Sequence, residues 1–307
     1  MNIKNDQLEV YDIAKVPSIL SLTVKEVYKD KFALAGVIIL FLVLATVIIA
    51  APIISTEEAT RLNFGTGTTN RAPSWVEGGA EGFLLGTDQG GRDMFQLVIV
   101  AARNSLIIGF AVAIITMAIG FIIGLLSGFY GGHVDNVVMR LVETWTMLPA
   151  LLVIATLINH LPRTLPNMIF VLVLFGWAGY VRLIRNVTLQ QANYDYVLAS
   201  KTMGTRNPII IFREVVPNLM PVLAPAVVLG MAGTIGVETG LSMLGFGLPI
   251  GTPSLGTIIN NAMVFINLQN RWWTWLPGIA ILFFVSISIN FVGTAIQRVA
   301  DPRQRVR

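Results

Sequence analysis

The stretch YDYVLASKTMGTRNPIIIFREVVPN, Tyr194 to Asn218, sets Asp195, Lys201, Arg206, Arg213 and Glu214 into a chain that is otherwise largely apolar. Uncharged runs of membrane length flank it, Thr164 to Val181 before and Val215 to Val237 after. Charged side chains are costly in hydrocarbon, so the stretch must lie on one side of a bilayer and join two spans.

Of the 307 residues, 54% are hydrophobic and 12% charged, with a mean hydropathy of +0.72. Soluble domains carry roughly 25% charged residues. This is the composition of an all-α integral membrane protein. A crossing helix needs about 20 apolar residues, and uncharged windows of that order run 32–56, 104–134, 144–162, 164–181, 215–237 and 272–297. Six transmembrane helices are expected. A seventh uncharged stretch, 239–270, carries LGFGLPIGTPSLG and NLQN. Its Gly, Pro and polar residues suit an external loop with a short half-buried piece better than a lipid-facing helix.

Lysines and arginines set the orientation. With a cytoplasmic N-terminus, fifteen of them fall inside and six outside, so both termini are expected in the cytoplasm. The expected division is a cytoplasmic segment 1–31, a first transmembrane helix 32–56, an external loop 57–98, a core membrane domain 99–300 with its cytoplasmic loop at 193–217, and a cytoplasmic tail 301–307. A cleaved signal peptide is the alternative for the start, but a leader of 31 residues and an apolar run of 25 favour an uncleaved span. Trp272, Trp273 and Trp275 sit where the last span enters from outside, as in an interfacial aromatic belt.

Within the opening stretch, Tyr196, Ala199, Ser200 and Met203 share one helical face. Gly204 reads as the residue that ends this helix, because it lacks a Cβ and tolerates a left-handed backbone. Asn207 and Pro208 read as N-cap and first residue of a second helix, which Pro217 interrupts. A helix this short is marginal alone in water. Small residues at Ala199, Ser200 and Gly204 admit a close surface, and Asp195, Lys201 and Arg206 offer a polar rim. That surface is either another protein or the lipid headgroups.

Chemistry is sparse. None of the six lysines follows a glycine, so there is no phosphate-binding GxxxxGK[ST] loop. There is no cysteine, only His133 and His160, and no GxSxG or HExxH. No catalytic or metal site is expected. GTDQGGRDM, with Asp88, Arg92 and Asp93, reads as a Gly-rich turn into the second span, with a calcium loop as the alternative that lacks the EF-hand ligand spacing. Asp135 and Glu143 read as helix-end charges. Glu238 lies late in the fifth span, where a carboxylate faces a bundle interior or wet cavity. It either lines the translocation path or serves as a structural hydrogen-bonding partner, and the path role predicts reduced transport for Glu238→Gln.

The pattern of DY, then Ala199-Ser200, three residues, Gly204 and VVPN resembles the cytoplasmic "EAA" loop of ABC-importer permeases of the dipeptide and oligopeptide family. LLGTDQGGRDMF, ARNSL, GFYGGHVDNVVMRLVE, GWAGYVRLIR, ETGLSMLGFG, PSLG and ADPR, in order, are similar to segments of its C-type permease subunit, so the resemblance spans about residues 84–303. Leu198 stands where the loop's name has Glu, Ser200 where it has Ala, Leu255 where Trp is usual and Thr294 where an acid is frequent. The resemblance implies a type I importer permease in a bacterial cell membrane. It implies a second homologous permease subunit, two cytoplasmic ATPase subunits that hold ATP and Mg, an external substrate-binding protein, and no nucleic acid. It also implies that Asp195, Tyr196, Ala199, Ser200, Lys201, Met203, Gly204, Arg206 and Pro217 form the coupling segment that takes ATP-driven motion from the ATPase. The same family includes importers of nickel and other small solutes, and a secondary transporter with a lipid-surface helix is the rival from another class. That rival would need coupling-ion residues at the midplane, and Glu238 is the one candidate.

Overall fold

The computed structural model describes residues 26–50, 53–63, 67–249, 251–263 and 269–300; most of the expected N-terminal segment 1–31 and the tail 301–307 lie outside these. Among the described residues the secondary structure is helical, apart from one isolated bridge between Thr87 and Asp93. In chain order the helices are α1 (Lys31–Ala50), α2 (Thr56–Thr60), α3 (Met94–Tyr130), α4 (Gly132–Met147), α5 (Ala150–His160), α6 (Leu165–Ala192), α7 (Asp195–Thr202), α8 (Asn207–Phe246), α9 (Leu255–Ala262) and α10 (Leu276–Ala300).

Five of these, α1, α3, α6, α8 and α10, are long and apolar enough to cross a bilayer, and α4 with α5, bent by 74° to each other, meet the same length and composition as a pair, which brings the candidate crossings to six. The expected straight span at 144–162 is thus broken. Pro149 lacks an N–H and disfavours helical geometry at Leu148, whose ψ is 134°. The second span starts ten residues before the expected 104, because Asp93 caps it by accepting from the Phe95 N–H and the side chains of Met94 and of Leu97 to Ala102 are buried. The external loop therefore ends at Asp93 rather than at 98. Asp30, just before α1, pairs with Arg298 near the end of α10 at 2.6 Å. The first and last spans thus meet on one face, as an even number of crossings requires.

Close helix contact comes from small residues. Gly120, Gly124 and Gly128 recur every fourth position along α3, and a Cβ at Gly124 or Gly128 would stand 2.7 Å from a backbone carbonyl oxygen of α6. This small-xxx-small spacing lets backbones approach where lipid offers no hydrophobic drive. The inner half of the bundle packs Phe129, Ile184, Val197, Ile210, Ile211, Val215 and Leu219, and one outer cluster packs Leu97, Val98, Ala232, Ile235, Leu255, Ile258, Trp273 and Ile289.

α8 runs through Pro217, Pro221 and Pro225. Pro217 does not interrupt it, because the turn before it, Ile211–Val215, widens to π-helical pairing, with the Val216 N–H donating to the Ile211 carbonyl. This shift in register accommodates the missing N–H. A second π-helical turn, Ser242–Phe246, closes the other end, where Gly245 takes φ 86°. The span expected to end at Val237 thus extends to Phe246.

Candidate functional site

On the cytoplasmic side, α7 is a two-turn helix ended as the sequence suggests. The Gly204 N–H donates to the Lys201 carbonyl and the Thr205 N–H to that of Ser200, both at 3.1 Å, and Gly204 takes φ 81°. This Schellman arrangement satisfies carbonyls that would otherwise be open. The second helix begins one residue earlier than expected, with Arg206 as the N-cap and Asn207 and Pro208 in the first turn.

The face shared by Tyr196, Ala199, Ser200 and Met203 is divided by the fold. Val197 and Ser200 turn inward, and Val197 is wholly buried against Phe129 and Ile210. The Ser200 hydroxyl donates to the Glu214 carboxylate at 2.6 Å, so it does not belong to an outward surface. The reason is a partner that the helical wheel could not show, since Glu214 sits in the first π-helical turn of α8. Asp195, Tyr196, Leu198, Ala199, Lys201, Met203 and Arg206 stay exposed, Met203 at 76%, and Phe212 of α8 joins them at 70%. Lys201 also lies over the Phe129 ring, 4.9 Å from its centre.

A second tie runs from Tyr196. Its hydroxyl donates to Gln191 Oε1 at 2.7 Å and accepts from Asn218 Nδ2 at 3.1 Å, while Asn218 Nδ2 also donates to the Glu214 carbonyl at 2.6 Å. Partial loss of solvent pushes the Tyr196 phenol above its ordinary range. α7 is therefore clipped to the start of α8 at Glu214 and at Asn218, next to Pro217. In the sequence Glu214 reads only as one of the charges of the loop and Asn218 as the end of VVPN; neither is marked there as a partner of α7.

On the outer side, Glu238 is fully buried, at 0% exposure. Its carboxyl oxygens accept from Ser254 at 2.6 Å, Ser242 at 2.8 Å and Ser105 at 3.4 Å. The stretch expected as a loop with a half-buried piece holds α9, whose Leu255, Ile258 and Ile259 are buried. Trp273 of the expected aromatic belt is buried too, donating from Nε1 to the Thr87 carbonyl at 3.0 Å. In the Gly-rich turn, Asp88 accepts from the N–H groups of Gly90 and Arg92 and from Arg92 Nε at 2.7 Å, which commits it to holding the turn. Asp135 stands in the first turn of α4, the helix-end charge expected, and also bonds Arg185 Nε at 2.8 Å and the Ser127 hydroxyl at 2.6 Å, joining α3, α4 and α6. Gly131 and Gly132 of GFYGG, at the junction of α3 and α4, take φ 61° and 53°. Glu143 stays exposed, 3.6 Å from Arg140. Among the described residues no group of His, Cys, Asp or Glu is placed to hold a metal.

A family model described as "Binding-protein-dependent transport system inner membrane component" matches residues 120–306. The chain is 40% identical over 284 residues to an oligopeptide transport system permease protein, OppC, of Lactococcus lactis, covering 92% of this chain and 94% of that one. It is 32% identical over 275 residues to a dipeptide transport system permease protein, DppC, of Haemophilus influenzae, covering 90% and 92%. A solved structure of the MetNI methionine ABC transporter in inward facing conformations superposes with a TM-score of 0.56 at 18% identity, over 68% of this chain and 98% of that one. That likeness speaks for the fold.

Proposed function

This chain belongs to the family of binding-protein-dependent transport system inner membrane components, and on that premise we propose that it is the permease subunit of an ATP-driven importer carrying oligopeptides or dipeptides into a bacterial cell. The observation that carries the reading is the clipped helix α7. Its outward side is apolar with a charged rim, and its inward side is bonded to a transmembrane helix through Ser200–Glu214 and Tyr196–Asn218. A lipid-surface helix needs no such mechanical connection. The peptide substrate follows from the relatives, named for oligopeptide and dipeptide transport, which align along nine-tenths of the chain.

In this reading α7 seats in a groove of a cytoplasmic ATPase, with Leu198, Ala199 and Met203 at the contact and Asp195, Lys201 and Arg206 setting register at the rim. Two such ATPase subunits hold ATP and Mg; this chain holds neither. A second, homologous permease completes the pathway, and an external binding protein delivers peptide. Closure of the ATPases displaces α7, and the clip hands that displacement to α8 beside Pro217, which biases the bundle between inward-open and outward-open arrangements.

The absence of native cysteine makes the test direct. Ala199→Cys, in membranes that hold the whole transporter, is treated with a short bifunctional crosslinker. The expected adduct contains a P-loop ATPase. Labelling by a lipid-phase thiol reagent with no protein adduct would overturn the reading.

A further inference from the structure

We infer that Glu238 is a positioning residue that fastens the inserted helix α9 to α3 and α8, so that the outer ends of these three elements move as one body. This rests on the importer reading for its consequence in transport but not for its geometry. The three hydroxyls around Glu238 come from three elements: Ser105 from α3, Ser242 one turn further along α8, and Ser254 from the N-cap of α9. Each serine has a second engagement or a fixed place. Ser254 also accepts from the Thr257 N–H in a reciprocal capping box, and Ser105 also accepts from the Leu255 N–H at 3.0 Å. The start of α9 is thereby bonded to α3 through Ser105 and, by Asn104 Nδ2 donating to the Pro253 carbonyl at 2.7 Å, at a neighbouring position. Asn260 Nδ2 ties its far end to the Met243 carbonyl at 2.8 Å.

Packing says the same. A Cβ at Gly256 would stand 2.8 Å from Thr239 Cα and 2.6 Å from Ser242 Cβ, so α9 touches the backbone of α8 beside Glu238. A Cβ at Gly109, one turn from Ser105, would stand 2.7 Å from the Ile235 side chain, so α3 and α8 are equally close there. A buried carboxyl group needs donors, and here each donor reports the position of a different helix. Glu238 therefore does what a charge lining an aqueous path would not: it makes the seat of α9 conditional on α3 and α8 together. A glutamine of the same shape keeps an acceptor oxygen for Ser254 and Ser242 and can serve as donor to Ser105 after that hydroxyl rotates. Alanine leaves all three hydroxyls without the shared partner.

The test places a single cysteine at Ile259, on the buried side of α9, in the full transporter in resting membranes, and follows its reaction with a membrane-impermeant maleimide from outside. Labelling needs neither peptide nor ATP, so failure here and failure of the importer reading are separable. Slow labelling is expected in the parent and in Glu238→Gln, and a rate at least about fivefold higher in Glu238→Ala, in the range of ordinary conformational coupling. Ser105→Ala, which removes one donor and spares the carboxyl group, is expected to lie between them and decides the matter should Glu238→Ala fail to accumulate. Peptide uptake is expected to survive Glu238→Gln. Parental labelling in the alanine variants, or loss of uptake in Glu238→Gln with labelling still slow, would overturn the positioning role, the second outcome in favour of a charge in the path.

Discussion

The two ends of α8 are built from the same parts and fastened to different depths. Each has a π-helical turn, Ile211–Val215 inside and Ser242–Phe246 outside, and each has a glutamate bonded to serine. Inside, Glu214 meets one serine 14 residues away, and Asn218 meets Tyr196 22 residues away, at partly exposed positions. Outside, Glu238 meets three serines, one of them 133 residues away, with no exposure at all. The inner bonds tie α7 to the α8 that follows it in sequence, whereas a bond across 133 residues ties α8 to a distant span. In the proposed function the inner end is then a lever that carries α7 with it, and the outer end the fulcrum held against α3.

Substitutions should follow that contrast. The largest effect is expected at Gly256, where valine would drive a side chain into the backbone of α8. Overpacking of this kind costs about 1–3 kcal/mol, read as a lowered thermal unfolding midpoint in detergent. An unchanged midpoint would mean that α9 is not seated on α8 as described. Next, Glu238→Ala should lower the midpoint more than Glu214→Ala, since it takes the shared acceptor from three buried hydroxyls, while one partly exposed bond is worth about 0.5–1.5 kcal/mol. Equal losses would break the comparison.

Asn218→Ala removes the inner clip near Pro217 with little change in stability. It should show instead as peptide taken up per ATP hydrolysed, reduced by at least about fivefold if the clip transmits the coupling free energy. Smallest of all should be Arg298→Ala. The Arg298 hydrogen bond, followed by the N–H groups of Phe32 and Ala33, holds the Asp30 carboxyl below the usual aspartate range. A lowered folded value stabilises at neutral pH, and that gain is lost progressively as pH falls from the ordinary aspartate value of about 4 down through the lowered folded value. The variant should therefore lie close to parent at neutral pH, and the remaining gap should shrink on acidification.

Much of this was legible in the sequence, and the limits are physical. Uncharged length and the distribution of Lys and Arg gave the crossings, and Gly204 gave the end of α7, because each is a local property of the chain. The bend at Pro149 was obscured because the uncharged window 144–162 runs straight through it. The persistence of α8 through Pro217 was hidden because the compensating π-helical turn depends on packing of Ile211 and Val215 in the inner core. Periodicity placed Ser200 outward, and only the approach of Glu214 from the next helix turns it in. Glu238 was visible as a charge in an apolar span, but its serines lie at 105, 242 and 254, so the cluster exists only after folding. The spacing of Gly120, Gly124 and Gly128 was a readable signal for the tight α3–α6 contact.

The lever and fulcrum are separated most directly by distances measured in the working transporter. Spin labels at two cysteine pairs in this cysteine-free chain, Met203 with Val134 inside and Leu244 with Met263 outside, can be read by double electron–electron resonance with and without ATP. The account predicts that the inner distance shifts on ATP addition while the outer pair keeps one narrow distribution. An outer pair that moves as far as the inner one would contradict it.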